Sequence, residues 1–312
     1  MDLSSTVMII LFLLQTSIGA PANIFILMAY AHINHNEKDL KPTDVILCHL
    51  VFGNMLGLVT RVVPQIMSGL GLNNIHNDAS CKLLIYTYRI SRGVSIGVTS
   101  FLSVHQAITL APSTTQWLFL KSRTKKYLIP YIISFWLFNM LLNPSVLIHM
   151  YAPRNGTIPG VHYNLGFCYS KKSESSHNLF YKIIINGYDV FFVGLMFGCS
   201  VYILYVLKRH RDQVRYIHST RQNSKMMAER TAAKNVITLV SLYVFCFGVD
   251  SGILVYSQTL LIVPLLLDHI GLFISSCYAL LSPFVIISFN KKIHRRLRFS
   301  HKEERIQHIN TN

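Results

Sequence analysis

What this chain has least of is charge. Only 13% of its 312 residues are Asp, Glu, Lys or Arg, while 51% are hydrophobic. That balance excludes a disordered polymer and leaves too little polar surface to solvate an ordinary soluble domain. Acidic residues are the scarcest, 13 against 29 basic ones. Cysteine is sparse too: the six present form no Cys-x-x-Cys pair, and the fourteen histidines form no ligand-like cluster with them. A structural zinc site is therefore not expected, and no other cofactor is called for. No nucleophile–base or metal constellation of an enzyme is visible, and no repeat of 20–50 residues, low-complexity linker or domain boundary interrupts the chain.

What it has instead is long apolar runs. A helix needs roughly 20 apolar residues to cross about 30 Å of hydrocarbon. Seven runs of that order occur, at approximately 7–30, 45–70, 82–110, 127–151, 180–207, 233–257 and 262–289. Lipid offers no partner to free backbone groups, so each run is expected to be a helix. The expected fold is all-α and membrane-embedded, a seven-helix bundle over residues 1–289 with a short basic tail at 290–312. The first run has no Lys or Arg before it and continues past Gly19, Ala20 and Ala22, which suits a spanning helix better than a cleaved signal.

The basic residues give an orientation. Two lie between runs one and two, four between three and four, eight between five and six and seven after run seven, against five in the loops on the other side. Twenty-one against five places the amino terminus outside and the carboxyl terminus in the cytoplasm. The inner leaflet and cytosolic proteins account for these loops, so nucleic acid is not an expected partner. Cys81 opens run three on the outside and Cys168 lies in the long outer loop, and a disulfide between them is expected. Asn155-Gly-Thr157, on the same side, is a glycosylation sequon. The tail stretch NKKIHRRLRF (290–299) has the pattern of a basic interfacial helix with Ile293, Leu297 and Phe299 towards lipid.

Six ionisable residues fall where lipid or bundle interior should be: Arg61, Arg89, Arg92, Asp189, Asp250 and Asp268. At about 1.5 Å per residue, Arg89 lies roughly 12 Å and Arg92 roughly 16 Å below Cys81. The three anions, on runs five, six and seven, fall at similar depth. Such residues are either pairs that fix helix packing or the lining of a water-accessible ligand pocket, and the two roles can coexist. Glycine pairs four apart (Gly53/Gly57, Gly93/Gly97, Gly194/Gly198, Gly248/Gly252) are expected to let helices approach closely within the bundle or at a dimer face. Prolines in or near the spans, among them Pro21, Pro64, Pro144 and Pro283, are expected to start or kink helices.

Receptor hallmarks of the rhodopsin class are missing. No lysine lies in 262–289 to hold retinal, His105-Gln106-Ala107 stands where Asp/Glu-Arg-Tyr is usual, and FCFGVDSG (245–252) lacks Cys-Trp-x-Pro. Ser282-Pro283-Phe284 replaces Asn-Pro-x-x-Tyr. Other stretches are informative by their order: TRVVPQIM (60–67), CKLLIYTYRISRG (81–93), LSVHQAITLAPS (102–113), Trp117 with Leu120-Lys121, Asn155-Gly-Thr157, DVFFVGLM (189–196) and SPFVIIS (282–288). Over nearly its full length the chain resembles the vomeronasal type-1 receptors. It departs from them at His105, usually Phe, and at Tyr88, where His commonly precedes the arginine.

The resemblance implies a multi-pass plasma-membrane receptor for pheromone-like small molecules, coupled to a heterotrimeric G protein of the inhibitory class. It makes Arg61, Arg89, Arg92 and Asp189 expected features. His105, Gln106, Trp117, Lys121 and the Lys208–Lys234 stretch are candidate G-protein-side contacts. A bitter-taste-type receptor stays open as a neighbouring reading. A small transporter or channel, with the buried charges as a relay, stays open as a different one.

Overall fold

The computed structural model describes residues 3–37, 40–72, 77–112, 114–152, 161–171, 176–214, 220–257, 259–260 and 264–289. Asn155 and the basic tail at 290–312 lie outside the described residues. Helices α1 (Leu3–Glu37), α2 (Pro42–Gly57), α3 (Val63–Gly69) and α4 (Asp78–Leu110) come first, with a π turn, Leu58–Val62, joining α2 to α3. Then follow α5 (Thr115–Lys126), α6 (Leu128–Leu142), α7 (Pro144–His149), a small sheet, α8 (Ser176–Val214), α9 (Thr220–Ser257) and α10 (Leu265–Phe289). Seven stretches are long and apolar enough to span a membrane: Ser5–Asn36, Pro42–Gly69, Asp78–Leu110, Leu128–His149, Ile183–Arg209, Thr231–Ser257 and Leu265–Ser288. The seven-helix all-α membrane fold is therefore present.

Two stretches expected to be loops are not. The interval from 208 to 232 is mostly helix, because α8 runs on to Val214 and α9 begins at Thr220. Its Lys, Arg, Met, Ala and Glu are good helix formers, so the helices continue past the apolar runs that first marked them. The loop after α7 carries a three-stranded antiparallel sheet of β1 (Met150–Tyr151), β2 (Val161–Asn164) and β3 (Tyr169–Lys171), in the order β1-β3-β2. Cys168, just before β3, is bonded to Cys81 in the first turn of α4, with Cα atoms 5.8 Å apart. That turn is capped by Asn77, whose Oδ1 accepts from the Ser80 N–H at 2.8 Å.

The prolines show how polar backbone is handled. Pro144 cannot donate to the Met140 carbonyl four residues earlier; the Tyr86 hydroxyl on α4 donates to it at 2.8 Å. Pro283 likewise leaves the Ala279 carbonyl on α10 without its helical donor, and Asn23 Nδ2 on α1 donates there at 2.8 Å. Each proline thus creates a demand that a neighbouring helix meets. Pro64 follows the π turn, in which Val63 N–H donates to the Leu58 carbonyl.

α4 is the central helix: 78% of its most apolar window is buried, against 17% for α8. The glycine pairs divide accordingly. A Cβ on Gly53 would lie 3.1 Å from Ser95 Oγ, and one on Gly93 would overlap Asn139 of α6. Gly194, Gly198, Gly248 and Gly252 face nothing within 4 Å among the described residues. Of the four pairs, those on α2 and α4 are the ones that act as packing contacts there.

Asn23→Ala is expected to destabilise the folded protein by about 1–3 kcal/mol, the cost of a buried unsatisfied carbonyl. In a Pro283→Ala background the restored backbone N–H meets Ala279, and the cost of Asn23→Ala falls. Thermal unfolding of the detergent-solubilised single and double variants checks this; equal cost in both backgrounds would refute the linkage.

Candidate functional site

The six intramembrane charges sort into two clusters and one remainder. The first cluster joins α2's continuation to α10. Arg61, in the π turn, is ion-paired to Asp268 and donates through Nη1 to Gln65 Oε1 at 2.6 Å. Gln65 Nε2 lies 2.8 Å from His269 Nε2, which accepts when its proton is on Nδ1. The lead-in to β3 covers this cluster: the Phe167 ring lies 5.3 Å from the Arg61 guanidinium. Gly166, with φ +79°, brings the loop so close that a Cβ there would sit 3.0 Å from Ser68 Oγ.

The second cluster joins α4, α8 and α9. Arg92 Nη1 donates to Asp189 Oδ2 at 2.8 Å, and Nη2 donates to Ser251 Oγ at 3.2 Å. Its Nε lies 3.5 Å from Asp250 Oδ2, and its guanidinium 5.6 Å from the Phe247 ring centroid. Arg92 is 8% exposed and Asp250 5%, so these charges rely on each other and not on solvent. The Arg92 Nε and Asp250 Oδ2 atoms have no hydrogen-bond partner among the described residues. Beside it, Tyr188 of α8 donates to the Gly93 carbonyl at 3.0 Å and accepts from Asn139 Nδ2 of α6 at 3.2 Å.

Arg89 is the remainder. It is half-buried and, among the described residues, makes no ion pair. Arg92, one turn further on, is the arginine that holds the Asp189 carboxylate.

A small cavity lies between α2, α4, α9 and α10. Tyr88 and Arg92 line it towards the disulfide end, Phe247 and Tyr278 from the side, and Asn54 and Ser95 at depth. The deep end is closed by hydrogen bonds: Ser95 Oγ donates to Asn54 Oδ1 at 3.3 Å, and Asn54 Nδ2 donates to Ser282 Oγ at 3.0 Å. Its mix of apolar walls with a few convergent polar groups is the kind of lining that small-molecule sites have. Asn54, Ser95, Gln65, His269 and Ser251 were not among the residues the sequence singled out. They are ordinary polar residues within apolar runs; Gln65, four after Arg61, Ser95, three after Arg92, and His269 and Ser251, next to Asp268 and Asp250, had a positional signal, and Asn54 had none.

At the opposite end, His105 and Gln106 are buried, 7% and 3% exposed. His105 Nδ1 has no partner among the described residues. Trp117 stacks on Tyr202 of α8 with ring centroids 6.4 Å apart, and Lys121 Nζ donates to the Ala111 carbonyl at 2.7 Å. Trp117 and Lys121 tie α5 to α8 and to the end of α4.

Residues 6–299 match the model of the vomeronasal organ pheromone receptor family. Olfactory receptor class A-like protein 1 of Danio rerio is 42% identical over 308 residues, which cover 98% of this chain and 96% of that protein. Vomeronasal type-1 receptor 3 of Homo sapiens is 30% identical over 283 residues, 90% of each chain. Vomeronasal type-1 receptor 1 of Gorilla gorilla gorilla is 30% identical over 282 residues, 90% of this chain and 80% of that one.

Arg92→Gln strips both carboxylates of their partner and is expected to cost about 3–5 kcal/mol. Asp189→Asn leaves Arg92 paired with Asp250 and is expected to cost less. The double variant should lose less than the sum by at least about 1 kcal/mol. Thermal unfolding of the solubilised protein reads the cycle, and strict additivity would mean that the pair is not coupled.

Proposed function

The chain belongs to the vomeronasal organ pheromone receptor family, a family of chemosensory G-protein-coupled receptors in the plasma membrane, and from that premise we propose how it receives and passes on a signal. The disulfide end faces outside. A pheromone-like small molecule enters there and binds in the chamber formed by the two charge clusters and the cavity beneath them. The observation that carries this reading is the unfilled cavity lined by Tyr88, Arg92 and Phe247 next to a charge cluster with unsatisfied atoms. Arg61, Arg92, Asp189, Asp250 and Asp268 hold the chamber's walls. Arg89, which has no ion pair among the described residues, meets an electron-rich group of the ligand.

Ligand binding acts by preferring one arrangement of the helices over another. Arg92 links α4 to α8 and α9, so a ligand that engages it or Asp250 changes how these three helices sit. The far ends of the same helices carry His105 and Gln106 and meet Trp117 and Lys121. These residues hold the closed arrangement, and their rearrangement presents the surface for a heterotrimeric G protein of the inhibitory class. Asn155, on the outer loop, carries the glycan.

The charge clusters would also suit a translocation relay, and one experiment separates the two. Cells expressing the receptor are exposed to a panel of volatile and steroid-like compounds, with G-protein activation and membrane current read separately. G-protein activation without current is expected, and ligand-evoked current independent of G protein would defeat the receptor reading. For any active compound, Arg89→Gln is expected to lower potency by about ten- to a hundredfold, the loss of one charged hydrogen bond. Surface expression should stay unchanged, because no ion pair of the described fold depends on Arg89.

A further inference from the structure

α5, Thr115–Lys126, lies outside both flanking spans, since one ends at Leu110 and the next begins at Leu128. It nevertheless exposes three successive large apolar side chains, Leu118 at 52%, Phe119 at 60% and Leu120 at 40%. Its other face is occupied: Trp117 stacks on Tyr202, Lys121 caps the end of α4, and Thr124 is buried. The positions 117, 121 and 124 are spaced by four and three, one stripe of the helix. Rotating away from that stripe gives Phe119, Arg123 and Lys126, again one stripe, while Lys125 is exposed on the neighbouring stripe with Leu118 and Ser122. The Arg123 guanidinium lies 4.7 Å from the Phe119 ring and 5.9 Å from the Tyr127 ring, and Lys126 Nζ lies 5.6 Å from Tyr127. The free face is therefore apolar at its start and becomes basic, over aromatic rings, at its end.

We propose that this face of α5 is a lipid-binding surface, with its apolar residues in the bilayer and Arg123, Lys125 and Lys126 binding the headgroup of an anionic phospholipid. Three observations select lipid as the occupant. The connectors are short: no more than Pro112, Ser113 and Thr114 separate Ala111 from α5, and Tyr127 alone separates it from α6. A helix of twelve residues is about 18 Å long, and with both ends held to spans it stays at the membrane surface. The basic end adjoins the start of a span, which is headgroup level, where positive side chains snorkel and aromatic rings anchor. Apolar side chains followed by a basic cluster match acyl chain followed by phosphate. The surface is separate from the ligand chamber, so it stands or falls independently of the ligand.

The test places a reporter on the face. A full-length receptor with Phe119→Trp, Trp117→Phe and Trp136→Phe has one tryptophan and is reconstituted into phosphatidylcholine vesicles containing bromine-labelled phosphatidylserine or bromine-labelled phosphatidylcholine in equal amount. Phosphatidylserine is expected to quench more, and R123Q/K125Q/K126Q should abolish the difference, each basic residue contributing about fivefold to local enrichment. K125R/K126R keeps the charge and should keep the difference, which separates headgroup binding from misfolding. Equal quenching by both lipids would overturn headgroup recognition. No quenching by either, or protection of the introduced tryptophan only when G protein is added, would overturn the proposal and make the face a protein-docking surface.

Discussion

A polar group inside a bilayer has no partner except the protein itself, and this one constraint explains which helices of the chain touch. The carbonyls freed by Pro144 and Pro283 are met by Tyr86 and Asn23 from other helices. Gln15 of α1 donates to the Phe273 carbonyl of α10 at 3.0 Å and accepts from Ser276 at 2.8 Å. Asn54 joins α2 to α10 and to α4. Apolar packing between helices gains little over packing against lipid, so these polar contacts, more than the apolar ones, give the bundle its specific order.

The two charge clusters apply the same rule with larger stakes. Arg61 and Asp268 close the side between the second and seventh spans, and the disulfide-bound loop presses Phe167 onto them. Arg92 is different, because its partners lie on two other helices and two carboxylates compete for one guanidinium. One of those carboxylates keeps an oxygen that is unsatisfied among the described residues. An arrangement in which the charges are paired but not all satisfied can be rebalanced by a modest movement, unlike a close-packed apolar core.

The spans and the disulfide partners were legible in the sequence, because each depends on a local property: run length or loop position. The pairing of the charges was not. Arg89 and Arg92 are three residues apart and both are arginines, so only the rotation of α4 relative to α8 decides that Arg92 reaches Asp189. The π turn that carries Arg61 adds a rotation that no regular helical count includes. The two glycine pairs on α8 and α9 read like those on α2 and α4, yet they face no neighbour among the described residues. Spacing reports a possible close approach and says nothing of whether a second helix is there. α5 was hidden for the opposite reason: twelve residues with mixed apolar and basic character match no span and no simple loop.

The uneven burial of the spans has a mechanical consequence. α4 is held on most sides, while α8 has only 17% of its most apolar window covered by protein. Lipid can replace protein against the rest of α8 at little cost, since both are apolar. What holds α8 near its disulfide end is then a short set of polar contacts, Asp189 to Arg92 and Tyr188 to Gly93 and Asn139. At the other end, Ile203 and Val206 pack with Ala107, Leu110 and Ala233, and Tyr202 stacks on Trp117. Between the two levels, Met196 is fully buried in the main core and Phe192 packs edge-on against Phe135, so the inward face of α8 is held along its length. The Arg92 cluster is the one of these contacts that also lines the cavity, and so it joins the cavity wall directly to α8.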